Sequence, residues 1–181
     1  MVPVGVVRVR QAVVADAEPI AEVHVRAWQG AYQGLMPQEY LEGLSIADHA
    51  TWWSRRLEGL PDGQRSVVVS VDDRVVGFAS YGRPRDTDLR GNGRVGELYA
   101  INLHPLAWGT GAGSVLLAHT HEELAEMGFS WAVLWVVPGN VRARRFYERE
   151  GWSAEHVERT AQVRGVTVPE VRYRRPLGSL S

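Results

Sequence analysis

Apolar residues recur along this chain in two rhythms, and the switches between them lay out the elements. Residues 6–13, 66–71, 74–81, 94–103 and 131–137 are short runs rich in Val, Leu, Ile and aromatic side chains, which predicts strands. Residues 152–164 and 166–174 predict a last hairpin around Gly165. Over 17–29 the apolar positions Ile20, Val23, Ala27 and Trp28 share one helical face, with Asp16 placed to cap it. Gly30, Gly34 and Pro37 break that helix, and Pro37 opens a short one to about Gly43. Ser45 caps a further helix over 46–57, and Pro61-Asp62-Gly63 and Asp72-Asp73 are turns. Residues 83–93 are polar and glycine-containing, so a mobile loop is expected. A helix over 109–127 ends at Gly128 as a left-handed cap, and Asn140 starts another ending near Glu150. The small, polar tail after Pro176 is expected to fray.

The resulting order is β-α-α-α-β-β-β-α-β-α-β-β. Three successive strands favour antiparallel pairs, and the later strand–helix–strand pieces favour one parallel pair. The expectation is an α/β fold with a mixed, mostly antiparallel twisted sheet flanked by helices. At 181 residues, with no linker or repeat, residues 1–181 read as a single domain.

Composition narrows the chemistry. A net charge of −1 gives no basic field for nucleic acid. All 20 basic residues are arginines, so lysine cannot be a nucleophile or a phosphate-loop cation. Together with abundant Ala, Val and Gly, this fits the coding bias of a GC-rich bacterial genome. With no cysteine, disulfides, thiolate metal sites and a thiol nucleophile are excluded. Only His119 and His121 are close among the six histidines, and on a helix that spacing points them apart, so no metal is expected. The N-terminus lacks a signal pattern, and no run approaches the ~20 apolar residues that span a bilayer, so a cytoplasmic protein without membrane contact is expected.

The most informative segment is the turn Trp108-Gly109-Thr110-Gly111-Ala112-Gly113-Ser114 between a strand and a helix. Glycines permit positive φ or close approach of a ligand, and the helix start behind them presents unpaired N–H groups to an anion. The helix dipole contributes only about 0.3–1 kcal/mol, so direct N–H bonds must do most of the holding. A phosphate loop of the NTPase type needs a lysine that is absent here. A dinucleotide fold places its turn after the first strand with an acid about 20 residues on, which this chain does not do. The bland alternative is a helix start whose glycines serve packing alone.

A second segment decides among these readings. Asn140-x-x-Ala143-x-x-Phe146-Tyr147-x-x-x-Gly151-Trp152 follows the turn Trp108-x-x-Gly111-x-Gly113. Together with the strand from Glu97 to Pro105, the pair resembles the GNAT superfamily of N-acetyltransferases, and the order of elements extends the likeness over nearly the whole chain. The one departure is Trp108, where Arg or Gln is usual. The resemblance implies that acetyl-CoA, the acetyl donor, lies between two splayed strands. Ile101, Asn102 and Leu103 would then bond its pantetheine through their backbones. Trp108, Gly109, Thr110, Gly111, Ala112, Gly113 and Ser114 would surround its pyrophosphate, and Asn140 would bond the coenzyme arm. Tyr147 would sit beside the sulfur and protonate the leaving thiolate. Glu97 would be the base that deprotonates the acceptor, its alternative being a carboxylate paired with an arginine.

Alternation puts Glu97, Tyr99, Ile101 and Leu103 on one strand face. Asn140 also reads as a helix cap, Tyr147 as a core aromatic, and His104 as structural. Arg142, Arg144 and Arg145 read as a solvated face, with the coenzyme's 3′-phosphate as the alternative partner. Trp28, Tyr32, Trp52 and Trp53 cluster in the first helices. They read as core, with Trp28 and above all Tyr32 as candidates to line an acceptor pocket. The expected activity is acetyl transfer to a primary amine of a small molecule by direct attack in a ternary complex. The rivals are acetylation of protein N-termini or lysines, and a non-catalytic acyl-CoA-binding module. A homodimer through the last hairpin or an exposed edge is a further expectation.

Overall fold

The structure, a computed structural model, describes residues 5–91, 93–163 and 165–178. Its elements follow the expected order. They are β1 (Val7–Gln11), α1 (Ala17–Ala31), α2 (Gln38–Glu42), α3 (Ile46–Glu58), β2 (Gln64–Val71), β3 (Arg74–Gly82) and β4 (Val95–Leu103). Then come α4 (Ala112–Glu126), β5 (Trp131–Val136), α5 (Val141–Arg149), β6 (Ser153–Val163) and β7 (Val166–Pro176). Among the described residues, seven strands form one sheet in the order β1-β2-β3-β4-β5-β7-β6, in which β4 and β5 are the parallel pair.

Local chemistry explains most boundaries. Ser45 caps α3 by accepting from the Asp48 amide at 3.1 Å. Asp72 and Asp73 take φ of 49° and 64°, which closes the β2–β3 hairpin tightly. Gly128 ends α4 with φ 93°. Three expectations need correction. Asp16 does not cap α1 with its side chain; its carboxylate accepts from the Val13 amide and pairs with Arg10. The first half of the glycine turn, through Gly111, stays outside α4, which starts at Ala112, because Gly109 and Gly111 both hold positive φ. The tail is tied down at Leu177, which is buried and whose amide bonds the Ser130 carbonyl; residues 179–181 lie outside those described.

The sheet separates two apolar layers. Tyr81, Leu98, Leu116, Leu117, Leu124 and Trp152 pack between the sheet and α4–α5, while Ile20, Ala21, Trp53, Val68 and Phe78 pack under α1 and α3. Burying one such side chain contributes roughly 1.5–3 kcal/mol, so both layers hold the sheet firmly.

Two irregularities open the sheet where they meet. The β4–β5 ladder covers only Val95↔Trp131, Gly96↔Ala132 and Glu97↔Val133, after which the strands part. On the other side of β4 the register against β3 slips, so that Ser80 faces Ala100 while Tyr81 faces Leu98, leaving Tyr99 as the extra residue of a bulge. Bulges sharpen local bending, and this one lies two residues beyond Glu97, the last position of β4 paired with β5.

Candidate active site

The splayed ends of β4 and β5 enclose a cavity of about 520 Å³. Its walls come from five parts of the fold: Ala27, Ala31 and Tyr32 at the end of α1, Ile101 to Leu103 of β4, the glycine turn, Trp135 and Val136 of β5, and residues of α5 with its cap Asn140. The edge of β4 that β5 no longer covers therefore presents its backbone to the cavity, a geometry suited to pairing with an extended amide-bearing chain.

The turn is built for an anion. The first backbone bond inside α4 runs from the Val115 amide to the Gly111 carbonyl at 3.2 Å, so the Gly113 and Ser114 amides precede the helical ladder. Gly109 and Gly111 have φ of 74° and 91°, and a Cβ at either would meet nothing within 4 Å, so conformation rather than crowding demands glycine there. Gly113 is helical and packs toward Phe146. Thr110 and Ala112 do not line the cavity. The Thr110 hydroxyl donates to the Ala107 carbonyl at 2.7 Å, and Ala112 is buried in the core. Ser114 does line it, but its hydroxyl donates to Glu150 Oε1 at 2.6 Å, leaving its amide for a ligand.

The α5 side supplies the polar groups. Asn140 Oδ1 accepts from the Ala143 amide at 3.2 Å, capping α5, while the Asn140 side chain is also hydrogen-bonded to the Tyr32 phenol. Tyr147 is 9% exposed and lines the cavity. Burial pushes its phenol well above the ordinary tyrosine range, nearby Tyr32 adds to the rise, and Arg142 opposes it. Tyr32 is likewise raised by burial. Both phenols are thus neutral hydroxyls through the neutral pH range.

Glu97 sits elsewhere than the strand pattern predicts. Leu98, Ile101 and Leu103 all pack on the α4 layer, whereas Ala100 packs on the α1–α3 layer. The bulge at Tyr99 shifts the alternation, so Glu97 faces the α1–α3 side and does not share a face with Ile101 and Leu103. It is fully buried at the vertex of the cleft, outside the cavity wall. Its Oε2 accepts from the Arg85 amide at 2.7 Å, and its Oε1 from the Arg85 guanidinium at 2.7 and 3.1 Å.

The aromatic candidates divide. Tyr32 lines the cavity, but Trp28 stands behind it, edge-on at 5.0 Å between ring centres, and faces Met36 and Leu41. Trp53 is core and Trp52 is at the surface, away from the cleft. His104 is structural, its Nδ1 accepting from the Leu106 amide at 3.2 Å.

A wall residue that the sequence gave no reason to single out is Trp135, whose indole N–H donates to Asp86 at 2.9 Å. Asp86 also accepts from Arg159 at 3.0 Å, and Arg159 lies over the Trp135 ring at 4.0 Å. Arg172 pairs with Asp86, Asp88 and Glu155. The loop expected to be mobile is therefore anchored at Arg85 and Asp86. These partners lie 49 to 86 residues apart, so no local pattern marks them.

Comparison with known proteins agrees with this geometry. Residues 18–152 match the model of the acetyltransferase (GNAT) family. The chain is 37% identical over 169 residues to the uncharacterized N-acetyltransferase YuaI of Bacillus subtilis, covering 91% of this chain and 90% of that protein. Its fold is similar to the PaiA N-acetyltransferase of Thermoplasma acidophilum in complex with coenzyme A, with TM-score 0.70, 19% identity, and 94% and 99% of the two chains covered. It is also similar to YncA of Salmonella typhimurium with its cofactor acetyl-CoA, with TM-score 0.67, 20% identity, and 95% and 94% covered. No helix among the described residues is long and apolar enough to cross a membrane. The chain belongs to the GNAT family and is an acetyl-CoA-dependent acetyltransferase.

Proposed function

We propose that this protein transfers acetyl from acetyl-CoA to a primary amine of a small molecule, by direct attack in a ternary complex. The observation that carries this reading is the cleft itself. It has an anion cradle at Gly109 to Ser114 and uncovered β4 backbone along one wall. A buried neutral phenol, Tyr147, lies in the same space. Acetyl-CoA supplies the activated acyl carbon. In this reading the amides of Gly113 and Ser114 hold its phosphates, Ile101 to Leu103 align its amide-bearing arm, and Asn140 fixes that arm from α5. The Tyr147 hydroxyl donates its proton to the departing thiolate.

A small acceptor is supported by the aromatic side chains on the cavity wall, Tyr32 and Trp135. Behind Tyr32, Val168, Ala161 and Val163 of the β6–β7 hairpin pack with Met36 and Leu41 of the α1–α2 region. A cavity with an aromatic wall suits a compact ligand.

An amine with a lysine-like pKa of ~10.4 must shed a proton before attack. Glu97 takes that proton in our reading only when Arg85 has left its carboxylate; paired as it is, it holds the loop that carries Asp86. Two variants separate the roles. If Glu97 is the base, Glu97→Gln lowers kcat by about 10²–10⁴-fold and Arg85→Ala retains or raises it. Equal losses in both, mainly in acceptor KM, assign Glu97 to holding the loop.

The overall reading is tested by release of free thiol from acetyl-CoA with an amine library, followed by initial rates at varied concentrations of both substrates. Intersecting lines support a ternary complex. Turnover of peptide amines alone would overturn the small-molecule acceptor.

A further inference from the structure

Arg142 differs in setting from the ion-paired arginines of this molecule. Arg10, Arg65, Arg85, Arg159 and Arg172 each meet a carboxylate within ion-pair distance. Arg142 has no such ion pair among the described residues. Its guanidinium carbon lies 3.2 Å from the centre of the Trp108 ring, and both residues line the cavity. Burial pulls its pKa below the ordinary arginine value. Arg142 is solvent-exposed, yet its guanidinium has an aromatic face on one side and the cavity on the other, a stacking partner without a counter-charge.

The aromatic face is itself fixed. The Trp108 indole N–H donates to the Leu103 carbonyl at 2.9 Å. The far edge of the ring lies against α1 at Gly30, where a Cβ would come within 2.8 Å of it. Held by β4 on one side and α1 on the other, the indole is a rigid shelf. Arg142 is the second residue of α5, two positions after the Asn140 cap, so its backbone is equally constrained. Stacking on an aromatic face leaves the N–H groups of a guanidinium, which lie in its plane, free to grip phosphate oxygens in pairs.

Trp108 occupies the position where the resemblance leads one to expect Arg or Gln. We propose that Arg142, laid on the Trp108 shelf, is the phosphate-binding cation of this chain, supplying from α5 the charge that residue 108 lacks. Trp108 is then a positioning residue. The inference rests on the reading of the cleft as the acetyl-CoA site.

The test is calorimetric titration of CoA, 3′-dephospho-CoA and pantetheine into the wild-type protein and three variants. Arg142→Ala should weaken CoA binding by about 10- to 100-fold, the range of a charge-assisted hydrogen bond, and leave pantetheine binding unchanged. Arg142→Lys, which keeps charge but not the planar stack, should recover part of the loss. Trp108→Ala should give a smaller loss in the same direction. Loss for both CoA and 3′-dephospho-CoA places Arg142 on the diphosphate, and loss for CoA alone places it on the 3′-phosphate; either outcome supports the proposal. Unchanged CoA affinity in Arg142→Ala, or an equal loss for pantetheine, overturns it. A wild-type protein that binds none of the three ligands would instead overturn the reading of the cleft.

Discussion

The two ends of the cleft are built from different materials. At the end assigned to the donor, the working groups are mostly backbone: the amides before the α4 ladder, the uncovered edge of β4, and glycines held at positive φ. At the end assigned to the acceptor they are side chains. Asp86, Arg159, Arg172 and Glu170 brace Trp135 across three strands and a loop. Backbone groups bind a feature common to every coenzyme molecule and are indifferent to side-chain drift around them. A web of ion pairs can be re-cut one residue at a time. On that assignment, the acceptor end can be altered by single side-chain changes that leave the donor end intact.

Variants at the two ends should split accordingly. The largest effect is expected where the ends meet. Tyr147→Phe should lower kcat by about 10²–10⁴-fold with acetyl-CoA affinity retained, as measured by thiol release and calorimetry. Because burial raises this phenol, its acid form should persist through the neutral range, and rates should not fall on its account below pH ~10. An alkaline limb at pH 8 that disappears in Tyr147→Phe would break the assignment.

Next is the donor end. Gly111→Ala places a side chain at φ 91° and should cost about 1–2 kcal/mol locally, seen as a raised KM for acetyl-CoA with the acceptor KM unchanged. At the acceptor end the pattern should invert. Asp86→Asn should raise acceptor KM by roughly tenfold, in line with losing a charged hydrogen bond, and leave acetyl-CoA binding alone. Matching KM shifts in both variants would erase the distinction between the ends.

The smallest effect lies in neither end. His121 is half-buried beside Trp152, and its buried Nε2 has no hydrogen-bond partner among the described residues. Burial lowers its pKa from 6.5 to about 3. Between those values the unfolded chain binds a proton that the folded chain refuses, so stability should fall as pH drops below 6.5. Thermal melts of His121→Leu should show a shallower decline over that window.

The same contrast governs what the sequence could reveal. The turn and the α5 segment that line the cavity were legible because their signals are local: Gly111 and Gly113 two apart, Asn140 three before Ala143, Phe146 beside Tyr147. Caps such as Ser45 and turns such as Asp72-Asp73 were readable for the same reason. Tyr32 was identified from a glycine-flanked aromatic, but Trp28 was not separable from it, since both lie one helical turn apart and only packing decides which faces the cleft. Asp86 and Trp135 were invisible, because their meaning lies in partners far along the chain. The placing of Glu97 failed for a subtler reason: strict alternation assumes an unbroken ladder, and the bulge at Tyr99 breaks it.

That bulge has a consequence for how length can vary in this strand. Side-chain direction along β4 is a matter of odd and even, and Tyr99 is the extra count that lets Leu98 and Ile101 pack on the same layer. Removing that single residue would restore even parity and turn either the buried carboxylate or the cavity-lining stretch from Ile101 to Leu103 to the wrong side. Substitutions at 99 can be absorbed one by one, but the residue count between Glu97 and Ile101 is fixed. The strand can change its letters there and cannot change its length.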